Sequence, residues 1–551
     1  MGRVRDLADG YLDELIELDP NLATVLGVRG HGDRLTDYSP SGEEARVDVA
    51  RTTLTQLDAV GEVEEADQNC AALLRDRLQT ELAWFDAGEH LRALRIIASP
   101  VSGTREVFDL SPAQTDDDWA MLGRRMEAVP EALDRVEASL REGMRRGLFA
   151  APRQAEACAK QAATWAGLDD AEPWFVSFAA RAPEAVRAAL ARPAEAATAA
   201  YGILTRFLRD DYLAAATGTP DAVGRDRYVA GARRYLGAVV DVDDAYAYGW
   251  SEVERIEAEM AAVVDEILPG RSLADVYEHL DAHGEAVEGE AALLAQLQGL
   301  IDGAIEALDG TYFEIAGPVR QVEAVLAPPG SAAAAYYTTP SLDFSRPGQT
   351  WYPTLGRTRF PIWKDVSTWY HEGVPGHHLQ LAGWVALGDQ LTRYQRSEFI
   401  SGDGEGWALY AERLMDELGF LGAPDRRLGY LDGQLLRATR VVVDIGMHCE
   451  MPIPTGQPFH PGERWTPELG REFLLGHGGP DRAFLESEWI RYLGWPGQAI
   501  SYKLGERVWL AGREAARRAR GAAFDLKAWH TDALALGPLG LADLATVLPT
   551  L

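Results

Sequence analysis

Ten residues, HEGVPGHHLQ at 371–380, constrain this chain more than any other stretch, because no regular helix can run through them. They start as the metal-binding helix motif H-E-x-x-H does, but Pro375 stands where the second histidine belongs. On a straight helix His371 and His378 share a face yet stand roughly 10 Å apart along the axis, too far for one ion, and His377 points elsewhere. Pro375 has no N–H to give the His371 carbonyl and its ring clashes with a regular turn, while Gly376 accepts unusual dihedrals. The spacing therefore predicts a bulge or break. Looping out two residues brings His377 to the place of the second ligand and leaves Glu372 beside the water. The block then reads H-E-x-x-x-x-H, with His371 and His377 as ligands of one zinc ion. His378 is either an alternative ligand or a group in the surrounding shell or toward substrate. The plain alternative, a helix end with surface histidines, has to explain why three of only 11 histidines fall in eight residues.

A third protein ligand has to come from another helix. SGDGEGWALYAERLMDELG, residues 401–419, reads as an amphipathic helix after a Gly-Asp-Gly cap, with Glu405, Ala408, Leu409 and Glu412 along one face. Glu405, among small residues at the helix start, is the expected third ligand, and Glu412 can orient a ligand imidazole from behind. Most helical glutamates are merely solvated, so Glu405 takes its weight from the upstream block. Three protein ligands leave one position for water, whose pKa falls to about 7. Glu372 then takes that water's proton and passes it to a leaving amine, which is the chemistry of amide cleavage.

The oxygen that gains charge needs a further donor. ESEWIRYLGWPGQAISYKLGERVWL, residues 486–510, crowds Arg491, Tyr492, Tyr502 and Lys503 around a Trp-Pro-Gly turn. Tyr502 is the first choice as catalytic donor, with Arg491, Tyr492 and Lys503 as substrate-binding candidates, although aromatic residues at helical spacing are more often core. Arg437, Arg440, Asp444 and His448 share a stripe that reads better as a structural ion-pair network than as a cleft lining.

Around this block the chain is mainly helical. From the start to about residue 310 apolar residues recur at helical intervals, and the Ala-rich stretch 179–207 reads as a packed helix pair. Between about 313 and 360, VRQVEAVLAPPG, SAAAAYYTTPS and QTWYPTLGRTRFP are short β-branched or aromatic runs, which predict a small sheet before the helical pattern resumes at Pro361. The expected division is a helical lobe over 1–310 and a lobe with the small sheet and metal-site helices over 311–551.

With 85 acidic against 53 basic residues, the net charge of −32 opposes binding to nucleic acid or anionic lipid. The 47% apolar content supplies a large core without staples. Three distant cysteines, Cys70, Cys158 and Cys449, suggest neither a disulfide framework nor a thiolate cage. The opening residues lack the apolar core of a secretion signal and no run of about 18 apolar residues occurs. A soluble, cytoplasmic protein is the expectation.

HEGVPGHHLQ, GEGWALYAERLMDELG and RYLGWPGQAISYKLG, in this order, together with the opening DELIELDPNLATVLGV, resemble the blocks of the bacterial domain of unknown function 885 family over nearly the whole chain. Such proteins look related to the gluzincin metallopeptidases, in which two histidines and a glutamate on successive helices bind zinc. The resemblance implies a two-lobed, mostly helical body with a deep central cleft, suited to flexible oligopeptides. It also implies that a strand before the active helix holds the substrate backbone, here at Tyr336 to Tyr337 or Trp351 to Tyr352. The expectation is thus a zinc-dependent peptidase or related amide hydrolase. Its rivals are a hydrolase of non-peptide amides or esters using the same ion, and a helical binding protein that keeps the motif without catalysis.

Overall fold

A computed structural model describes residues 3–170, 172–327 and 334–551. The part of the expected strand region at 328–333 lies outside the described residues. The fold is mainly α, as the periodicity predicts, and its chain divides into two compact units. The first comprises Met1–Asp67, Arg77–Val223 and Leu493–Trp495, and the second Gln68–Asp76, Gly224–Tyr492 and Pro496–Leu551.

The first unit is built on the long helix Asp116–Arg146. Thr115 and Asp118 cap its start reciprocally, acidic residues fill its first turn and Arg145 and Arg146 its last, and Gly147 closes it in the left-handed conformation. Its buried stripe, Trp119, Leu122, Met126, Val129, Leu133 and Val136, packs in one core with Leu190, Ala194, Ala197, Tyr201 and Leu204. The Ala-rich stretch is chiefly one helix, Glu184–Arg206, with Pro193 inside it, rather than a pair. Alanine's helix propensity and the buried face outweigh the one hydrogen bond that Pro193 removes.

The second unit carries the candidate chemistry. Helix α1 (Val242–Ile267) packs along α6 (Pro424–Cys449), so residues 224–308 belong with the site rather than with the N-terminal helices. The change of texture near residue 310 marks the three-stranded sheet that follows, not where packing partners change. Helix α2 (Glu290–Leu308) is the one helix among the described residues long and apolar enough, by length and composition, to cross a bilayer. Its Leu293, Leu297, Ile301, Ile305 and Leu308 are buried in the fold, and Gln298 donates to Val322 O and accepts from Ala324 N.

Gln298 thereby ties α2 to β2 (Val322–Leu326), which lies parallel to β4 (Gly348–Tyr352), while β3 (Tyr336–Thr338) pairs antiparallel on the other side of β4. A separate antiparallel pair joins β1 (Ala286–Glu288) to β5 (Arg359–Pro361). Both edges of β4 are occupied from Gln349 to Trp351, so Trp351 offers no free edge to a substrate; among the described residues β3 is an edge strand. Tyr352 donates to Asp365 at 2.8 Å and so docks the sheet on the first turn of α3 (Asp365–Glu372). The remaining site helices are α4 (His377–Ala386), α5 (Ser401–Glu417), α7 (Arg482–Gly494) and α8 (Ser501–Arg520).

Candidate metal centre

Helix α3 ends at Glu372 and α4 begins at His377, so residues 373–376 form the predicted break. The Gly376 N–H donates to Tyr370 O at 2.9 Å and the His378 N–H to Gly373 O at 3.1 Å, which closes the break as a wide turn with a cis Val374–Pro375 bond. A Cβ on Gly376 would collide with the carbonyl oxygens of His371 and Tyr370, so only glycine permits this approach. Trp407 on α5 donates its indole N–H to Pro375 O at 2.9 Å, and the ring is fully buried. The helix that carries Glu405 therefore also pins the turn.

The turn brings the two imidazoles together, with ring centroids 4.8 Å apart and planes at 85°. Glu405 Oε2 lies 3.3 Å from His371 Nε2 and 3.4 Å from His377 Nε2. Ligand atoms about 2.0–2.2 Å from one tetrahedral ion stand about 3.4 Å apart from each other. The three residues are the one group of ligand-type side chains among the described residues whose ligand atoms all lie within 4.8 Å of one another. The donor set also fits a cation electrostatically. Two buried carboxylates, Glu372 and Glu412, and the half-buried Glu405 surround two imidazoles, with Arg437 the guanidinium nearest Glu412 at 3.7 Å. Against Arg437 and a protonated His371 these carboxylates still leave net negative charge, and a divalent ion would take the place of the His371 proton there.

The carboxylates differ in their commitments. Glu412 accepts from His371 Nδ1–H at 2.8 Å and from Ser367 at 2.6 Å. Because a carboxylate only accepts, His371 carries a proton on Nδ1; a second proton on Nε2 faces Glu405, and an ion bound at Nε2 would displace that one while Glu412 keeps the Nδ1–H in place. Burial pushes the Glu412 carboxyl up, but Arg437 and the His371 bond hold it below the ordinary value. Glu405 behaves alike, pushed up by burial and held far down by its bonds to both histidines. Burial would depress His371, yet Glu405, Glu412 and the charge of Glu372 lift it to about 9. Glu372 makes no hydrogen bond among the described residues, and burial and the Glu405 charge raise its pKa against the pull of both histidines. It is the uncommitted base of the three.

His378 is not a ligand. Its Nε2 lies 2.7 Å from Val319 O and must donate there, so its Nδ1 accepts from Tyr337 at 3.0 Å. Both nitrogens serve to hold α4 against the strands. His377 Nδ1, by contrast, is buried with no hydrogen-bond partner among the described residues.

Tyr502 lies over His371, centroids 6.2 Å apart at 20°, and Arg440 sits 4.5 Å over the Tyr502 ring. Burial and the Glu405 charge raise its phenol to about 12 against Arg440 and Arg491, so it stays protonated, and its hydroxyl has no partner among the described residues. It is free to donate. The other polar candidates of this region are committed elsewhere. Tyr492 donates to Glu488 and accepts from Arg440, both at 2.7 Å. Arg491 holds Glu488 with two nitrogens and Gln498 with a third. Lys503 is fully buried between Glu252 and Glu506. Their role as substrate contacts is set aside, because removing such groups from their partners would strand buried charges. Tyr336 stacks on Trp351 at 5.7 Å, and Tyr337 is held by His378. Phe399, beside His377, has no periodicity to announce it and is found only in the structure.

Asp444 closes the ion-pair stripe, accepting from Tyr228 at 2.7 Å and from Gly497 N at 2.9 Å while its other oxygen has no hydrogen-bond partner among the described residues. Burial raises its pKa from 3.8 to about 7. Between those values the folded state binds one proton more than the unfolded, so stability falls as pH rises, by about 1.4 kcal/mol per unit. Asp444→Asn keeps an acceptor and cannot ionise. In urea titrations at pH 5 and pH 8 the parent is expected to lose about 2 to 3 kcal/mol more than this variant. An equal loss in both would show that Asp444 does not titrate in this window.

The family model described as bacterial protein of unknown function, DUF885, matches residues 20–548. The chain belongs to that family. Among solved structures, the fold is shared with a "putative lipoprotein" from Colwellia psychrerythraea, TM-score 0.85 and 21% identity, over 100% of this chain and 98% of that one. It is also shared with a "putative lipoprotein of unknown function" from Shewanella oneidensis, TM-score 0.72 and 17% identity, over 100% of both chains. No curated protein matches. These likenesses correct the cytoplasmic expectation, since the two solved structures that share the fold are described as putative lipoproteins. The cysteine argument behind that expectation fails physically as well. None of the three cysteines is in a disulfide among the described residues, Cys70 and Cys158 are buried, and buried thiols far from one another persist in an oxidising compartment as in a reducing one.

Proposed function

We infer that this DUF885 protein is a zinc-dependent hydrolase of peptide or related amide bonds, with a gluzincin-like division of roles. The observation that carries the reading is a single Glu405 oxygen within 3.4 Å of both His371 and His377 Nε2, with an uncommitted Glu372 next in chain to the first. A zinc ion held by these three residues supplies a Lewis acid that polarises a carbonyl and acidifies water to near neutrality. Glu372 takes the proton of the attacking water and delivers it to the leaving amine. Tyr502 donates to the substrate oxygen as it gains charge. Glu412 keeps His371 in the tautomer that presents Nε2. The edge strand β3, beside α4, offers its backbone to an extended peptide. The likeness in fold to two putative lipoproteins supports a place of action outside the cytoplasm.

The test is elemental analysis of protein purified without chelators or a metal-affinity column, followed by screening of peptide and acyl-amide libraries. About one zinc per chain, with peptide cleavage abolished by chelation and restored by zinc, is expected. Cleavage of acyl-amides or esters alone would replace the peptidase reading with the non-peptide hydrolase. Metal-free protein whose thermal stability does not rise with zinc would leave a helical binding protein.

A further inference from the structure

Phe399 stands apart from every other aromatic residue in the chain. Of 15 Phe, 15 Trp and 19 Tyr, it alone is exposed, at 44%. A single exposed apolar side chain ordinarily calls for no explanation. This one lies edge-on to a proposed metal ligand, its ring centroid 6.1 Å from that of His377 at 68°. It is also held in place. Ile400, the next residue, is buried, and the Phe399 ring lies so closely on α5 that a Cβ at Gly404 would collide with it. The segment that presents the ring leads directly into the helix that carries Glu405.

The two imidazoles thus have unlike surroundings. The phenol ring of Tyr502, itself covered by Arg440, lies over His371, whereas His377 has the hydrocarbon ring of Phe399 beside it. A substrate bound between them meets a donor on one side and an apolar surface on the other. We propose that Phe399 forms the wall of an apolar subsite, which takes the side chain next to the cleaved bond and selects substrates with an aromatic or large aliphatic residue there. This rests on the metal-hydrolase reading and adds an orientation to it, with the carbonyl oxygen toward Tyr502 and the side chain toward Phe399. The contact of two rings explains why an aromatic residue is kept where water covers much of it in the free protein.

The test uses the zinc-loaded full chain and a series of hydroxamic acids, which chelate zinc through the same group and differ only in their tails. Acetohydroxamate, benzohydroxamate and 3-phenylpropionohydroxamate are titrated calorimetrically into the parent, Phe399→Ala and Phe399→Leu. In the parent the aryl compounds are expected to bind roughly tenfold or more tighter than acetohydroxamate. Phe399→Ala should bring that ratio to within about threefold, and Phe399→Leu should retain most of it, with zinc content and circular dichroism unchanged in both. Aryl preference absent from the parent, or undiminished in Phe399→Ala, would overturn the subsite and leave the metal centre standing. Failure of the parent to hold zinc or any hydroxamate would instead remove the metal centre and the subsite with it.

Discussion

Gly376→Ala is expected to cost the protein its zinc although no ligand is touched. The added methyl group would meet the carbonyl oxygens of His371 and Tyr370, which are backbone atoms that cannot swing aside. The turn must open, and the atoms that have to meet at one ion, Nε2 of His371 and of His377, then move apart. Metal–ligand bonds tolerate displacements of about 0.2 Å, and removing a mere supporting contact behind a ligand costs 10- to 100-fold in affinity. A displaced ligand should cost about 100-fold or more. Gly383→Ala on α4, the helix that follows the turn, is the control, because a Cβ there meets nothing within 4 Å. Competition with a chromogenic zinc chelator should show Gly383→Ala at the parent affinity and Gly376→Ala far below it, near His371→Ala and Glu405→Ala. Zinc held by Gly376→Ala as tightly as by the parent would mean that the turn does not set the ligand geometry.

That turn was the most legible part of the chain, because proline and glycine act on the backbone itself and their effect does not depend on distant partners. Glu405 and Glu412 were legible for a similar reason. Two turns of helix place both on the face toward His371, one at Nε2 and the other at Nδ1. The small sheet announced itself by composition, although the pairing of β5 with β1 crosses to a strand outside the expected region.

What escaped the sequence depends on partners far along the chain. Lys503 reads as an available cation until Glu252, on α1, is seen against it, and Tyr492 reads as an available phenol until Arg440 and Glu488 take it up. His378 stayed open as a ligand because its two hydrogen bonds run to Val319 and Tyr337, neither of which its spacing can reveal. Phe399 shows the converse. Burial is a property of the folded chain, so an aromatic residue left uncovered beside a ligand cannot be told in sequence from one in the core.

Glu372→Gln separates the proposed base from the ligands. The amide matches the carboxylate in size, the residue makes no hydrogen bond among the described residues that the change would break, and the ion's three ligands stay in place. Removing one negative charge from a buried, acidic site weakens its hold on a cation, but far less than loss of a ligand does, so zinc should remain stoichiometric at micromolar protein. Hydrolysis should fall about 100- to 10,000-fold, the range that general-base catalysis supplies. A split of this kind, metal kept and turnover lost, distinguishes the base from Glu405, where both are lost together, and from Glu412. Glu412→Gln should lower zinc affinity 10- to 100-fold, because the amide can still accept from His371 Nδ1–H but does so without charge. The raised pKa of Glu372 gives the assignment a second readout. A base must be ionised to accept a proton, so activity in the parent should decline toward acid as Glu372 takes one up, and this limb should vanish from the residual activity of Glu372→Gln. Turnover by Glu372→Gln at the parent rate would pass the proton transfer to another group.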